Sequence, residues 1–160
     1  MGALQPLTST QSQTAERPES TVGQLLGLYA AHPLHQRLQK LLAADKARLQ
    51  LRNLSGSLPA VLAAASWQQS HGTLLLVLNE REEAAYFYND LSNLLPDKDI
   101  LFFPASYRKH YDPEGLDSGN VLQRAEVLNQ LNHTKTRGEL IVTYHEDLAE
   151  KVVNKFTITK

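Results

Sequence analysis

Cysteine is absent from this chain of 160 residues. Its absence excludes disulfide bonds, thiolate catalysis and zinc sites built on cysteine, and it is typical of proteins in a reducing compartment. No apolar run approaches the roughly 18 residues of a membrane span, and no basic segment followed by an apolar one marks a secretory signal. An excess of charge is lacking as well. The net charge of −1 argues against strong electrostatic capture of nucleic acid or of an anionic membrane.

The rest of the composition is that of a single globular domain, because 42% of the residues are hydrophobic and 21% are charged. Residues 1–21 are the exception. They are rich in Gln, Ser, Thr and Pro and contain no aromatic residue, which predicts a disordered tail.

The order of the hydrophobic patterns predicts the fold class. Periodicity indicates helices over 22–31, 34–43, 61–69, 80–95, 118–131 and 143–153, and strands over 48–52, 73–78, 100–103, 140–142 and 156–159. Strands that alternate with helices favour a parallel sheet. We therefore predict a three-layer α/β fold over residues 22–160, with helices on both faces of the sheet. A single residue follows the last predicted strand, so we expect the domain to be truncated.

Three of these elements can be predicted in more detail. The run from Thr73 to Leu78 is almost wholly apolar, which is typical of a parallel strand covered on both faces. Thr143 and Glu146 have the spacing of a capping box for the last helix. The helix that begins near Ser118 is expected to pack through its apolar residues, which are Val121, Leu122, Ala125, Leu128 and Leu131.

The turn between the first predicted strand and the helix after it has the outline of a phosphate loop, G-x-x-x-x-G-K-[ST]. In register, Asn53 stands for the first glycine and Leu58 for the second, Gly56 lies between them, Pro59 replaces the lysine and Ala60 the hydroxyl residue. The loop would lack the ammonium group that pairs with phosphates, the hydroxyl that holds magnesium, and one N–H donor. We interpret it as a degenerate phosphate loop without bound nucleotide. An ordinary strand–turn–helix junction is the alternative.

A second candidate site combines basic and aromatic residues, namely Tyr107, Arg108, Lys109 and Tyr111. Such clusters occur in proteins that bind single-stranded nucleic acid. The chain has no second patch of this kind, so a plain or interdomain loop remains the alternative. We treat these residues as a possible interaction loop.

Two further groups have simpler explanations. His32 and His35 could suit a metal if they shared a helix, but Pro33 lies between them, and we expect solvated histidines. Glu80, Glu82 and Glu83 stand at the predicted start of a helix, where acidic residues favour the macrodipole. We predict no catalytic residue and no metal ligand.

Several segments, in order, resemble the N-terminal region of bacterial transcription-repair coupling factors. More distantly, the chain is similar to the nucleotide-binding domain of the excinuclease B subunit, UvrB. The resemblance covers about residues 34–155. It rests on Leu54–Ser57 with the helix that follows, Leu74–Asn79, Phe102–Ala105 with Tyr111–Pro113, Arg124–Leu128 with Leu131, and Gly138–Thr143 with Leu148 and Val152. The missing lysine favours the coupling factors over the excinuclease subunit.

The resemblance implies a non-catalytic module of the bacterial cytoplasm that acts in transcription-coupled nucleotide excision repair. Such a module helps recruit the excinuclease A subunit, UvrA, to a stalled RNA polymerase, with the main contact downstream of this chain. ATP and magnesium would be bound by motor domains of the whole protein, not by this chain. The other domains of that protein are expected partners, RNA polymerase and duplex DNA would be contacted only through it, and no membrane is involved. The alternatives are an active helicase-type enzyme domain and an unrelated α/β domain that binds a small ligand at the carboxyl ends of its strands.

Overall fold

The computed structural model describes residues 21–44, 46–70, 72–106, 118–133 and 138–150. The helices are α1 (Thr21–Ala31), α2 (Pro33–Leu42), α3 (Leu58–Gln69), α4 (Arg81–Leu94), α5 (Ser118–His133) and α6 (His145–Leu148), and the strands are β1 (Leu74–Leu78), β2 (Leu101–Phe102) and β3 (Leu140–Tyr144). Residues 1–20 of the predicted tail and the predicted strand over 156–159 lie outside the described residues. Thr21, the last residue of that predicted tail, begins α1.

The sheet is parallel and β3 lies at its centre, in the order β1-β3-β2. Val142 is opposite Leu76 on one side and opposite Phe102 on the other. Gly138 allows β1 and β3 to begin side by side, because a Cβ atom at this position would collide with the backbone of Gly72 and Thr73. The predicted α/β class with a parallel sheet is confirmed.

Three helices contribute to the core on one face of this sheet, and α4 lies against β1 and β3. From β3 the side chains of Leu140, Val142 and Tyr144 enter this core. The helical contribution consists of Leu26 of α1, Ala60, Val61, Ala64, Ala65 and Trp67 of α3, and Ala84 and Leu91 of α4. The run of alanines in α3 leaves room for close contact with both α1 and α4. Phe87 and Leu94 of α4 also pack against this cluster.

Helix α5 covers only part of the other face. Val127 packs with Leu101, Phe103 and Ile141, and Leu128 lies against them. The face of β1 beside this cluster stays open among the described residues, because Leu75 and Val77 are 49% and 46% exposed. The prediction that this strand is covered on both faces is therefore wrong.

The predicted face of α5 is wrong except at Leu128, which packs against this cluster. Arg124 and Val127 are its buried residues, whereas Leu122 is 70% exposed and Val121 42%. The side of α5 that carries Arg124 faces β2, because the Arg124 side chain has polar partners at the end of that strand, as described below. A prediction of the buried face from hydrophobic periodicity does not take a charged residue such as Arg124 into account.

The strand predicted over 48–52 is absent. These residues have no regular secondary structure and are exposed. Leu49 and Leu51 are 39% and 51% exposed, and a strand needs a ladder partner that this segment does not have.

Candidate functional site

The turn before α3, which we predicted as a degenerate phosphate loop, has two residues with positive φ. Asn53 and Gly56 have φ values of 63° and 57°, in the left-handed region, which glycine adopts readily and asparagine tolerates. The N–H of Leu58 donates to the carbonyl oxygen of Ser55 at 3.3 Å, so it is used within the turn. Asn53 thus has a conformation that favours glycine, and no strand precedes it in the described part of the chain.

The chemistry of this turn differs from that of a phosphate site. Ala60 is 1% exposed and belongs to the core, so the position of the magnesium-binding hydroxyl is filled by a packed methyl group. Pro59 is half-buried and has no N–H to offer. Leu58 is half-buried and lines an apolar groove.

The groove beside this turn has a volume of about 370 Å³. Its walls are mainly leucines of α2, of the turn and of α3, which are Leu34, Leu38, Leu51, Leu54, Leu58 and Leu62. Tyr29, His32, His35, Gln50 and Arg52 complete the lining. A surface of this kind suits apolar contacts and not a polyphosphate.

The two histidines near this groove have different environments. His32 is exposed, and its Nδ1 accepts the N–H of Leu34 at 3.2 Å at the start of α2. His35 is 3% exposed, and its Nε2 lies 3.2 Å from the Oγ of Ser66. The expectation of a solvated histidine is therefore wrong for His35, which is a buried contact between α2 and α3.

The predicted interaction loop, with Tyr107, Arg108, Lys109 and Tyr111, lies outside the described residues. The chain that leads to it is described, and six backbone groups from Phe103 N to Ser106 N are hydrogen-bonded. The polar partners are Val142 O for Phe103 N, Thr143 Oγ1 for Phe103 O, Arg124 Nη1 for Pro104 O, Tyr144 Oη for Ala105 N, Asn120 Nδ2 for Ala105 O, and the Glu150 carboxylate for Ser106 N. Because these partners come from β3, α5 and the end of α6, the segment is fixed in one conformation.

Arg124 is the main side chain of this polar cluster. Its Nη1 donates to the carbonyl oxygen of Pro104 at 2.7 Å, and its Nη2 lies 3.4 Å from the Oε2 of Glu150. The guanidinium also lies over the ring of Phe103, at 4.1 Å from the centroid. Glu150 in turn accepts the hydroxyl of Ser106 at 2.7 Å. The buried charge of Arg124 is thus paired and hydrogen-bonded, as a charge at this depth requires.

Thr143 and Asp147 form the deepest part of the cluster, and both are 0% exposed. The Oγ1 of Thr143 lies 2.8 Å from the carbonyl oxygen of Phe103 and 3.0 Å from the Oδ2 of Asp147. Burial raises the pKa of the Asp147 carboxyl to about 6, while the polar groups of Thr143 and Tyr144 and the charge of Arg124 act in the opposite direction.

The predicted capping box at Thr143 and Glu146 is wrong. β3 continues through Tyr144, which is the N-cap of α6 and makes no side-chain capping bond. The hydroxyl of Thr143 is directed to Phe103 and Asp147 instead. By contrast, the acidic start of α4 is confirmed, because Glu82 and Glu83 lie in its first turn.

Sequence reasoning missed the four central residues of the polar cluster, which are Arg124, Thr143, Asp147 and Glu150. One signal was available for Thr143, since polar residues that follow a buried parallel strand lie at the carboxyl edge of the sheet. The other three are recognisable only when distant segments meet.

Neither a metal centre nor a membrane span is found in the part of the chain that the structure describes. No three His, Asp or Glu side chains there are grouped so as to hold a metal ion. None of the described helices has the length and the apolar character needed to cross a bilayer.

Comparisons with protein-family models, with curated proteins and with solved structures found no match to this chain.

Proposed function

We propose that this chain is the N-terminal, non-catalytic module of a transcription-repair coupling factor. In this role it helps recruit the excinuclease A subunit to a stalled RNA polymerase during transcription-coupled nucleotide excision repair. The module has a fold derived from the phosphate-loop nucleotide-binding proteins and no longer binds nucleotide.

The proposal rests on the positions of the segments that resemble the coupling factors. Four of these segments are separate in the sequence but meet at one end of the sheet. Arg124 contacts Pro104, Thr143 contacts Phe103, and the Nδ1 of His145, next to the last of these segments, donates to the carbonyl oxygen of Asn79. If these short segments resembled the coupling factors by chance, we would not expect their residues to contact one another in the fold. This agreement supports a common fold with the coupling factors.

The turn before α3 disfavours the first alternative, an active nucleotide-dependent enzyme. Such an enzyme needs a lysine and a hydroxyl beside the phosphates. Pro59 and Ala60 supply neither, and Ala60 is enclosed in the core. The sequence contains no other G-K-[ST] segment.

The polar cluster disfavours the second alternative, a small ligand bound at the carboxyl ends of the strands. The groups there that could hold a ligand are used within the protein. Arg124 is occupied by Pro104 and Glu150, and Glu150 also accepts from Ser106. A ligand would have to displace these bonds.

The proposal is tested by capture of the purified excinuclease A subunit on two immobilised proteins. One is residues 1–160. The other includes about a hundred further residues of the same gene product, a typical small-domain length. We expect the longer protein to retain the subunit and the shorter one to fail. Strong capture by residues 1–160 would place the partner surface on this fold, and failure of both would refute the recruitment role.

A further inference from the structure

The hydroxyl oxygen of Thr143 lies within hydrogen-bond distance of two other oxygen atoms. A threonine hydroxyl has one proton to donate. Its oxygen lies 2.8 Å from the carbonyl oxygen of Phe103 and 3.0 Å from the Oδ2 of Asp147. A carbonyl oxygen only accepts, and so does an ionised carboxylate. Thr143 can share its one proton between the two acceptors, but two full hydrogen bonds form only when Asp147 carries a proton and donates it to Thr143.

Loss of that proton leaves two acceptors in competition for one hydroxyl. A carboxylate attracts a donor more strongly than a neutral carbonyl does. The hydroxyl of Thr143 would therefore turn toward Asp147, and the carbonyl of Phe103 would lose its partner. Phe103 is the first residue after β2, and it is 9% exposed, so water does not readily replace the lost bond.

We propose that Asp147 and Thr143 form a proton-operated latch between α6 and the end of β2. When Asp147 is protonated, a continuous chain of hydrogen bonds runs from Asp147 through Thr143 to Phe103. When Asp147 is ionised, the chain is broken at Phe103, and the segment from Phe103 to Ser106 is held less firmly. This segment leads directly to the residues of the predicted interaction loop.

The charged and titratable groups around the latch are few in the described chain. Arg124 of α5 favours the ionised form of Asp147. Tyr144 of β3 has a phenol whose pKa is raised, chiefly by burial, and Arg81 of α4 acts on this phenol in the opposite direction. Glu150 is occupied by Arg124 and Ser106.

On α6 itself, His145 and Glu146 are exposed. No titratable side chain lies on the Phe103–Ser106 segment. Asp147 is thus the one carboxyl among the described residues that lies within hydrogen-bond distance of Thr143.

The latch is tested by carbon-13 NMR of the labelled chain across a pH series from about 4 to 8. Two signals are followed, the side-chain carboxyl carbon of Asp147 and the backbone carbonyl carbon of Phe103, which reports whether its oxygen accepts a hydrogen bond. We expect the Asp147 midpoint to lie near the raised value of about 6 and not at the ordinary 3.8. The Phe103 signal should move with the same midpoint.

Three variants separate the latch from a general effect of pH. Asp147→Asn stays uncharged and still has a donor for Thr143, so the Phe103 signal should be constant over the series. Thr143→Val removes the hydroxyl and should also abolish the Phe103 titration, while Thr143→Ser should retain it. Asp97→Asn is the matched control, because Asp97 is exposed, and it should behave as the unaltered chain.

Three results would overturn the latch: an Asp147 midpoint near 3.8, a Phe103 signal that does not change while Asp147 titrates, or a Phe103 titration that persists in Asp147→Asn. If a variant fails to fold, the two midpoints of the unaltered chain decide the question by themselves.

Discussion

The turn before α3 and the segment after β2 are both short, non-helical segments next to a packed core. They differ in the burial and in the polar contacts of their backbones. The turn is exposed from Asn53 to Ser57 apart from Leu54, and its carbonyl groups at Ser55 and Ser57 accept the N–H groups of Leu58 and Val61. The segment from Phe103 to Ser106 is largely buried, and its backbone groups from Phe103 N to Ser106 N have partners from other parts of the chain.

The difference shows how far a local sequence pattern can predict a site. The turn resembles a motif of eight residues, but the lysine and the hydroxyl that bind phosphate and magnesium in that motif are absent. The segment after β2 has no local motif, because the polar partners of its backbone lie 15 to 44 residues away in the chain. The conformation of this segment therefore depends on long-range polar contacts at the carboxyl end of the sheet.

The largest expected effect comes from Arg124→Ala. The change leaves the carbonyl of Pro104 without a donor and removes the cation from Glu150 and from the ring of Phe103. Breaking a buried ion pair typically costs about 3–5 kcal/mol. We expect a loss of about 3 kcal/mol in the free energy of unfolding, measured by urea denaturation.

Arg37→Ala is the control for this change, because Arg37 lies on α2 and is exposed. It should alter the free energy of unfolding by less than about 0.5 kcal/mol. A loss below about 1 kcal/mol for Arg124→Ala would mean that the cluster does not hold the segment, and the contrast with the turn would disappear.

A smaller effect, which depends on pH, is expected for Asp147→Asn. The folded-state pKa of Asp147 is raised from 3.8 to about 6. Below about pH 3.8 the protonated carboxyl therefore makes its full contribution to the free energy of unfolding of the unaltered chain. That contribution is lost as the pH rises through 6. A rise of about two units corresponds to at most about 3 kcal/mol.

The variant, which cannot ionise, should therefore gain stability relative to the unaltered chain as the pH rises from about 3.8 to about 6, and the difference should stay constant at higher pH. Urea denaturation at a series of pH values measures this difference, with Asp97→Asn as the exposed control. A difference that does not change between pH 3.8 and 6 would show that the pKa of Asp147 is not raised in the folded protein.

The sequence predicts the α/β class and places α1, α2 and α4 to within one residue at each end, whereas α3 begins at Leu58, three residues before its predicted start. It fails where burial is decided by polar contacts. The apolar residues of α5 indicate one face, yet Arg124 turns another face toward β2. Leu49 and Leu51 look like strand residues but have no ladder partner. His35 looks like a surface residue until Ser66 of α3 is found next to it.

The third prediction concerns the turn before α3, where restoring the motif should not restore its chemistry. In Pro59→Lys with Ala60→Thr, the chain regains the lysine and the hydroxyl. Ala60 is 1% exposed, and adding two heavy atoms to a packed core typically costs about 1–3 kcal/mol. We expect this loss of stability without any gain of nucleotide binding.

Calorimetric titration with magnesium-ATP tests the second part of this prediction, with the unaltered chain as the reference. Neither protein should bind with a Kd below about 100 μM, which corresponds to about −5.5 kcal/mol. Tight binding by the unaltered chain would contradict the degenerate loop. Tight binding by the double variant alone would show that only the two side chains had been missing.

The smallest expected effect is on DNA binding, since the net charge of −1 provides little attraction for phosphates. Labelled duplex DNA at about 150 mM salt should show no saturation, by fluorescence anisotropy, below the non-specific range of roughly 10⁻⁴–10⁻⁶ M. Arg108→Ala with Lys109→Ala should leave this result unchanged. The Arg37→Ala variant provides a control for the loss of one positive charge elsewhere. Tight binding that falls steeply with salt and is lost in the double variant would instead assign DNA contact to the loop. The segment that Arg124 and Glu150 hold in place would then have a function as the rigid base of a nucleic-acid site.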